Sequence, residues 1–167
     1  ITKQVTSGDN TKDFKFKVTG DKLGNQDKRT LTDENGNKLD RIEGFTMKNG
    51  KTVTLHNVEA GMKVNVAEFD TYRYDVTATN YSTPAVANSK GEKTFNYEVV
   101  LDEASGQLVL KTEGGVTVEN NHIYVYNTPA TTSLTVTKTA TKDNVEDTTT
   151  EFNFTLTLGS KSENVTW

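Results

Sequence analysis

Three polar residues occupy strand positions at which the alternation of side chains favours apolar ones. They are Lys3 in Ile1-Thr-Lys-Gln-Val5, Glu68 in Val64-Asn-Val-Ala-Glu68 and Asn127 in Ile123-Tyr-Val-Tyr-Asn127. Successive side chains of a strand point to opposite faces, so each of the three shares a face with apolar neighbours. The pattern predicts that an amine, a carboxyl group and a carboxamide all point towards a core.

These three groups could react with one another. A buried lysine or glutamate without a partner costs of order several kcal/mol, which favours placing the three groups together. A pocket of low dielectric lowers the pKa of an amine and raises that of a carboxyl group. A neutral Lys3 could then attack the side-chain amide carbon of Asn127, while protonated Glu68 polarises its carbonyl and shuttles protons. The predicted products are an isopeptide cross-link and ammonia.

A second interpretation leaves all three residues exposed at strand ends. Lys3 is close to the first residue, and Glu68 is followed by Phe69-Asp70-Thr71, which has the character of a turn. Lysine and glutamate usually remain exposed unless they are paired. An ordinary β-sandwich with three exposed polar residues therefore stays open at the level of sequence.

The composition favours an antiparallel all-β protein. The chain has 167 residues, of which 32% are hydrophobic and 25% charged, and its apolar residues recur in short alternating runs. Cysteine is absent, which excludes disulfides, thiolate catalysis and cysteine metal sites. A net charge of −4 without a basic stripe or basic amphipathic helix indicates neither a nucleic acid nor a membrane as partner.

An internal repeat divides the chain. The segment Ile1-Thr-Lys-Gln-Val-Thr, followed by Phe14-Lys-Phe16, recurs as Val136-Thr-Lys-Thr-Ala-Thr141, followed by Phe152-Asn-Phe154. In the repeat, Lys138 is predicted to share a strand face with Leu134, Val136 and Ala140. A polar linker around Pro129 separates the copies. We predict one module over residues 1–129 and the first strands of a second, similar module over 130–167.

Alternation and turn residues predict the strands of the first module. They are expected at about residues 1–6, 13–19, 39–46, 51–56, 62–69, 72–79, 93–101, 107–112 and 116–127. The first and last of these carry Lys3 and Asn127. A sandwich that pairs the two strands would bring both side chains together.

The order of these motifs resembles Gram-positive pilin shaft modules, most closely the streptococcal major-pilin type. The matching residues are Thr2-Lys3, Phe14 and Phe16, the turn Val58-Glu-Ala-Gly61 before the strand that carries Glu68, and Tyr126-Asn127-Thr128. The resemblance implies an immunoglobulin-like antiparallel β-sandwich stapled by a self-generated isopeptide bond. It also implies a structural subunit of a cell-wall-anchored extracellular pilus, joined covalently to other pilin subunits by sortase.

The resemblance assigns roles to individual residues. Lys3 corresponds to the amine, Asn127 to the acceptor amide and Glu68 to the catalytic carboxyl group, and Lys138 to the amine of a second module. Lys111 is the nearest candidate for the lysine that links subunits, because no lysine directly precedes the closing strand. We expect no enzyme acting on an external substrate, no metal and no cofactor, since the predicted chemistry occurs once, within the chain.

Other groups of polar and aromatic residues give weaker indications of function. Asp33-Glu-Asn-Gly-Asn37 has oxygen ligands like part of a calcium loop, but its Asn-Gly pair favours a hairpin turn. His56 and His122 lack residues at triad spacing and are interpreted as ordinary strand residues. The main alternative function is an adhesin module that binds a host protein or glycan through an aromatic face. The residues available for that face are Tyr72, Tyr74, Tyr81, Tyr97, Tyr124 and Tyr126.

Overall fold

The chain divides into two compact units, Ile1–Thr131 and Thr132–Trp167. The structure is a computed structural model and describes residues 1–7, 10–21, 29–130, 137–147, 149–158 and 161–166. In its last two segments, residues 154, 156–158 and 161–166 are described by their backbone alone. The predicted boundary at Pro129 coincides with the last residue of a strand, and the units divide after Thr131.

In its described residues, the first unit is built from strands and one 3-10 helix, Glu119–Asn121. Its strands are β1 Thr2–Val5, β2 Phe14–Thr19, β3 Leu31–Asp33, β4 Lys38–Leu39, β5 Phe45–Met47, β6 Val53–Leu55, β7 Lys63–Glu68, β8 Tyr74–Ala78, β9 Lys93–Asp102, β10 Gln107–Thr112 and β11 Tyr124–Pro129. The predicted all-β class is confirmed.

Two layers form a sandwich. One is a five-stranded antiparallel sheet in the order β10-β9-β7-β2-β5. The other contains the sheets β1-β11-β8 and β4-β3-β6, which meet where Lys3 N donates to Lys51 O at 3.0 Å and Val53 N to Ile1 O at 2.9 Å. Every strand pair of this unit is antiparallel except β1 with β11, which run parallel. The first and last strands are therefore direct neighbours.

The core lies between these layers. Alternate residues of β2, β7 and β9 point inward, and alternate residues of β8 and β11 meet them from the other layer. The most deeply buried of these apolar side chains are Phe16, Val18, Val66, Phe95, Tyr97, Val76 and Val125. Lys3, Glu68 and Asn127 follow the same alternation, so the backbone that builds the core also directs three polar groups into it.

Two predicted strands need correction, and one strand was not predicted. The run 39–46 is not one strand, because Asp40 accepts hydrogen bonds from the backbone of Ile42 and Glu43 and so turns the chain between β4 and β5. Strand β3 was missed, since Leu31 is its only apolar residue and gives no alternation. Within 116–127 only the end is a strand, as the 3-10 helix occupies Glu119–Asn121.

The second unit contains two hairpins among its described residues. One pairs β12 Thr141–Lys142 with β13 Val145–Glu146, and the other pairs β14 Asn153–Leu158 with β15 Lys161–Thr166. Whether this unit begins a second module like the first stays a prediction.

Candidate cross-linking site

The pairing of β1 with β11 places Lys3 beside Asn127. The register aligns Lys3 with Val125 and Val5 with Asn127, so the two polar residues lie two positions apart on adjacent parallel strands. Both side chains face the core, because each lies on the face of its strand that carries the buried apolar residues. Both are completely inaccessible, at 0% relative exposure.

Glu68 reaches this pair from the opposite layer. It is the last residue of β7 and aligns with Phe16 of β2 on one side and Lys93 of β9 on the other. Its relative exposure is 1%. The three residues named by the sequence thus meet inside the sandwich, and none of them is exposed at a strand end.

One carboxylate lies between two nitrogen atoms. Glu68 Oε2 is 3.4 Å from Lys3 Nζ, and Glu68 Oε1 accepts a hydrogen bond from Asn127 Nδ2 at 2.5 Å. The Lys3 ammonium also donates to the backbone oxygens of Gln4 and Val125, each at 3.3 Å. Glu68 therefore contacts both the prospective nucleophile and the prospective leaving group.

The carboxamide of Asn127 is only half satisfied. Its Oδ1 is buried and has no hydrogen-bond partner among the described residues, and Glu68 Oε2 has only the longer ion-pair contact with Lys3. A half-turn of the carboxamide would exchange Nδ2 and Oδ1. Glu68 would then have to carry a proton to bond Oδ1. Polarisation of the carbonyl by protonated Glu68, as predicted from the sequence, requires the second orientation, whereas the structure has the first.

Burial shifts the protonation of both charged partners. Loss of water lowers the pKa of Lys3 from 10.5 to about 8, although the attraction of Glu68 opposes this shift. Loss of water also raises the pKa of Glu68 above its ordinary value, against the opposing influence of Lys3 and of the Asn127 hydrogen bond. Both shifts favour transfer of a proton from the amine to the carboxyl group.

One aromatic ring, that of Phe14, lies over the amine, and a second, that of Tyr74, packs against it; the sequence did not assign either to the site. Lys3 Nζ lies 4.6 Å from the centre of the Phe14 ring, which packs edge-on against Tyr74 with 5.5 Å between ring centres. Phe14 could have been anticipated, since it shares a strand face with Phe16 and Val18. Tyr74 could not, because its position depends on which strands become neighbours.

Lys138 does not repeat the environment of Lys3. It is exposed and lies outside the strands, with its ammonium 4.8 Å from the centre of the Phe152 ring. The prediction of a buried strand position is therefore wrong, because the described strands of this unit form two separate hairpins that do not cover it. Its predicted neighbours Leu134 and Val136 lie outside the described residues. The role of Lys138 as an amine stays a prediction.

Lys111 is half-buried on β10, where it aligns with Glu98 of β9. Its proposed linking role is not decided by this position.

The acidic loop at Asp33 is a hairpin turn. Asp33 joins β3 to β4 by accepting hydrogen bonds from the backbone nitrogens of Asn35 and Asn37 and from the Asn37 carboxamide. Its carboxylate is thus occupied by the turn itself. Across the described segments, no cluster of three or more histidine or acidic side chains has the arrangement of a metal site.

Each histidine has a threonine partner that spacing alone did not reveal. His56 Nε2 lies 2.8 Å from Thr32 Oγ1, and His122 Nε2 lies 2.6 Å from Thr2 Oγ1. Neither histidine lies within a strand, because His56 follows β6 and His122 precedes β11, so their interpretation as strand residues is wrong. Each reaches a threonine on a neighbouring strand, β3 or β1, and neither contact is arranged around a reacting group.

The six tyrosines do not form one face. Tyr97 is buried at 1% relative exposure, and Tyr74 and Tyr81 pack against the core. Tyr124 and Tyr126 lie on the outer face of β11, where the rings of His122, Tyr124 and Tyr126 stack in a row with centres 4.3 and 6.0 Å apart. This aromatic row borders an open cleft of about 780 Å³.

A family model described as a domain of unknown function (DUF7601) matches residues 1–96, which include Lys3 and Glu68. Searches of curated proteins and of solved structures find no match to this chain. The part of the chain that the structure describes contains no helix with the length and apolar character of a membrane span.

Proposed function

Because this chain belongs to the DUF7601 family, whose function is unknown, we propose its function from the site: it is a structural unit stapled by a self-generated isopeptide bond between Lys3 and Asn127. The observation that carries the proposal is the carboxylate of Glu68. Its two oxygens lie against the two nitrogens that must exchange a proton in such a reaction.

The reaction balances within these three residues. Lys3 Nζ first passes one ammonium proton to the Glu68 carboxylate, and the neutral amine bonds to Asn127 Cγ. As the Cγ–Nδ2 bond breaks, Glu68 gives its proton to Nδ2 and takes up the second proton of Nζ, so the products are the isopeptide N–H, ammonia and protonated Glu68. Glu68 Oε1 faces Nδ2 and delivers the proton that lets ammonia leave. Burial makes the neutral amine accessible near neutral pH, since the pKa of Lys3 is lowered to about 8. No cofactor is required.

The staple would serve a mechanical function. It joins the first and last strands of the unit, so tension entering before Lys3 and leaving after Asn127 would pass through one covalent bond. We propose that the unit belongs to the shaft of a Gram-positive pilus, anchored to the cell wall outside the cell and joined by sortase to further copies. The resemblance of the motifs supports this part of the proposal, and Lys111 remains its candidate linking residue.

Mass spectrometry tests the staple directly. The purified protein should weigh less than its sequence by one ammonia, and peptide mapping should find a branched peptide that joins Lys3 to Asn127. Glu68→Gln and Glu68→Ala remove the partner of the buried Lys3 ammonium and should lower stability, but they should fold at alkaline pH, where Lys3 is neutral. Both should retain the full sequence mass, because neither side chain can relay the proton. An unmodified wild type would overturn the staple, and a cross-link in both variants would remove Glu68 from its role.

The aromatic row supports a second candidate function, that of an adhesin. The described lining of the cleft beside it contains no lysine or arginine and one acidic residue, Glu119. Its other polar residues are Thr77, Thr79, Asn80, Ser82 and Asn120. Hydroxyls and amides beside aromatic rings suit an uncharged oligosaccharide better than an anionic ligand. The site is on the outer face of β11, so it is compatible with a staple on the inner face.

Glycan binding is tested with the cross-linked protein on an array of neutral oligosaccharides. Saturable binding should weaken at least tenfold in Tyr124→Ala and Tyr126→Ala and persist in Tyr72→Ala, because Tyr72 is exposed but does not line the cleft. Absence of saturable binding, or an equal loss in all three variants, would contradict an adhesin function of this cleft.

A further inference from the structure

A second lysine approaches the site from outside the aromatic rings. Lys12 precedes β2, and its ammonium lies 4.6 Å from the centre of the Tyr74 ring and 5.2 Å from that of Phe14. Ammonium groups are attracted to aromatic faces at these distances. Lys12 is partly exposed, whereas Phe14 has a relative exposure of only 3%. The ring pair therefore separates a partly solvated cation from the buried site.

Phe14 is shared by two lysines. Lys3 Nζ lies 4.6 Å from the centre of this ring and Lys12 Nζ 5.2 Å, so the two nitrogens are at most about 10 Å apart. The Phe14 ring that both contact is itself buried, so water screens the two charges less than it would at an open surface. Two positive charges at this separation repel each other appreciably in a protein environment. Lys3 has no access to solvent, so its protonation is the one that this repulsion disfavours.

We propose that Lys12 is a positioning residue for the cross-linking reaction: its charge sets the pH range in which Lys3 and Glu68 react, and its contacts with Phe14 and Tyr74 hold the Phe14 ring over Lys3. This inference rests on the proposed function. It assigns a role to a residue outside the reacting trio.

The direction of the effect follows from charge. Lys3 and Glu68 titrate as a coupled pair, and each protonation step adds positive charge beside Lys12. Lys12 accordingly lowers the pKa of both Lys3 and Glu68, although burial is the largest influence on each. Among the described residues, Lys93 also aligns with Glu68 across the strands, and its ammonium donates a hydrogen bond to Tyr74 O at 2.8 Å.

The test is the pH profile of cross-linking. Full-length chain that still has its full sequence mass, isolated as insoluble protein and dissolved in acidic urea before it has folded, is refolded by dilution into buffers between pH 5 and 10. Intact mass follows the loss of ammonia. Lys12→Gln should shift the whole profile upward by about half to one pH unit, after allowance for partial solvent screening. On the acidic side, this shift should slow the reaction roughly three- to tenfold.

Three further variants distinguish charge from packing. Lys12→Arg keeps the charge and should keep the wild-type pH profile of cross-linking. Lys12→Met should shift that profile as Lys12→Gln does, although it keeps hydrophobic contact with the rings. Lys15→Gln is the matched control, because Lys15 is an exposed residue of the neighbouring strand on its solvent face. Circular dichroism confirms that each refolds.

The outcomes separate the two proposals. If wild-type protein cross-links and Lys12→Gln and Lys12→Met both follow its profile, the role of Lys12 is overturned while the staple stands. An equal shift in Lys15→Gln would also overturn it, since net charge alone would then explain the effect. If folded wild-type protein never loses ammonia, both proposals fail.

Discussion

At the scale of single residues, the three buried polar groups of the site offset one another's cost of burial inside the core. Lys3 and Glu68 are each almost wholly inaccessible, and an unpaired charge at either position would strongly destabilise the fold. Their ion pair and the hydrogen bond from Asn127 offset part of this cost. The unpaired Asn127 Oδ1 shows that the offset is incomplete. Forming the isopeptide bond would remove the buried ammonium altogether.

Alkaline pH should stabilise a variant that cannot form the cross-link. In Asn127→Ala, the pKa of Lys3 should stay depressed near the value of about 8 found in the native chain, whereas an unfolded lysine titrates near 10.5. Between these values the unfolded state binds the extra proton, so the free energy of unfolding should rise with pH, by roughly 2–3 kcal/mol. Urea unfolding at pH 8 and pH 10.5 measures the change.

The control for this prediction is the double variant Lys3→Met/Asn127→Ala. It lacks the titrating amine and should show no corresponding rise. An equal rise in both proteins would assign the effect to other groups.

At the scale of elements, β1 is held from both sides although it is only four residues long. Beyond its parallel pairing with β11, it bonds to the turn before β6: Gly50 N donates to Lys3 O at 2.8 Å, and Val5 N donates to Asn49 Oδ1 at 2.8 Å. The Asn-Gly turn tolerates the positive φ of 77° at Gly50. This turn therefore helps to hold β1 in the register that places Lys3 two positions from Asn127.

Removing the Asn49 side chain should loosen β1. In the Asn127→Ala background, Asn49→Ala leaves Val5 N–H without its acceptor and should lower the free energy of unfolding by about 1–3 kcal/mol. With Asn127 present, it should slow the appearance of the cross-link during refolding. Urea unfolding and intact mass measure the two effects, and Asn35→Ala in the exposed β3–β4 turn is the control. Unchanged stability and unchanged rate would show that the turn does not position β1.

At the scale of the whole molecule, the staple would close almost the entire first unit into one loop. By analogy with a disulfide around a loop of about 100 residues, such closure stabilises a fold by roughly 5 kcal/mol. Unlike a disulfide, it resists reduction, which suits a chain without cysteine. The larger predicted effect is resistance to unfolding when the chain is pulled, because the segment closed by the cross-link cannot extend.

Single-molecule stretching from the two ends of the chain tests this expectation. Asn127→Ala should show an unfolding step of roughly 40 nm, the extended length of the residues between positions 3 and 127. Wild-type protein should lack that step at forces that do not break covalent bonds. A step of this length in wild-type protein whose cross-link has been verified by mass would rule out the mechanical role.

The sequence by itself determined the class of the fold and the identity of the buried trio. Alternation with a period of two specifies which face a residue occupies, and it did so correctly for Lys3, Glu68 and Asn127. It also located most strands of the first unit, since their apolar residues recur in register. Local alternation failed where side-chain hydrogen bonds turn the chain, as at Asp40, and where one apolar residue makes a strand, as at Leu31.

Only the tertiary structure decided how the trio is arranged. The parallel pairing of β1 with β11, the arrival of Glu68 from the other layer and the positions of Tyr74 and Lys12 all depend on contacts between residues distant in sequence. The repeat around Lys138 shows the same limit, because matching local sequence did not produce matching burial. Burial requires a second layer, and strand alternation specifies a face without specifying what covers it.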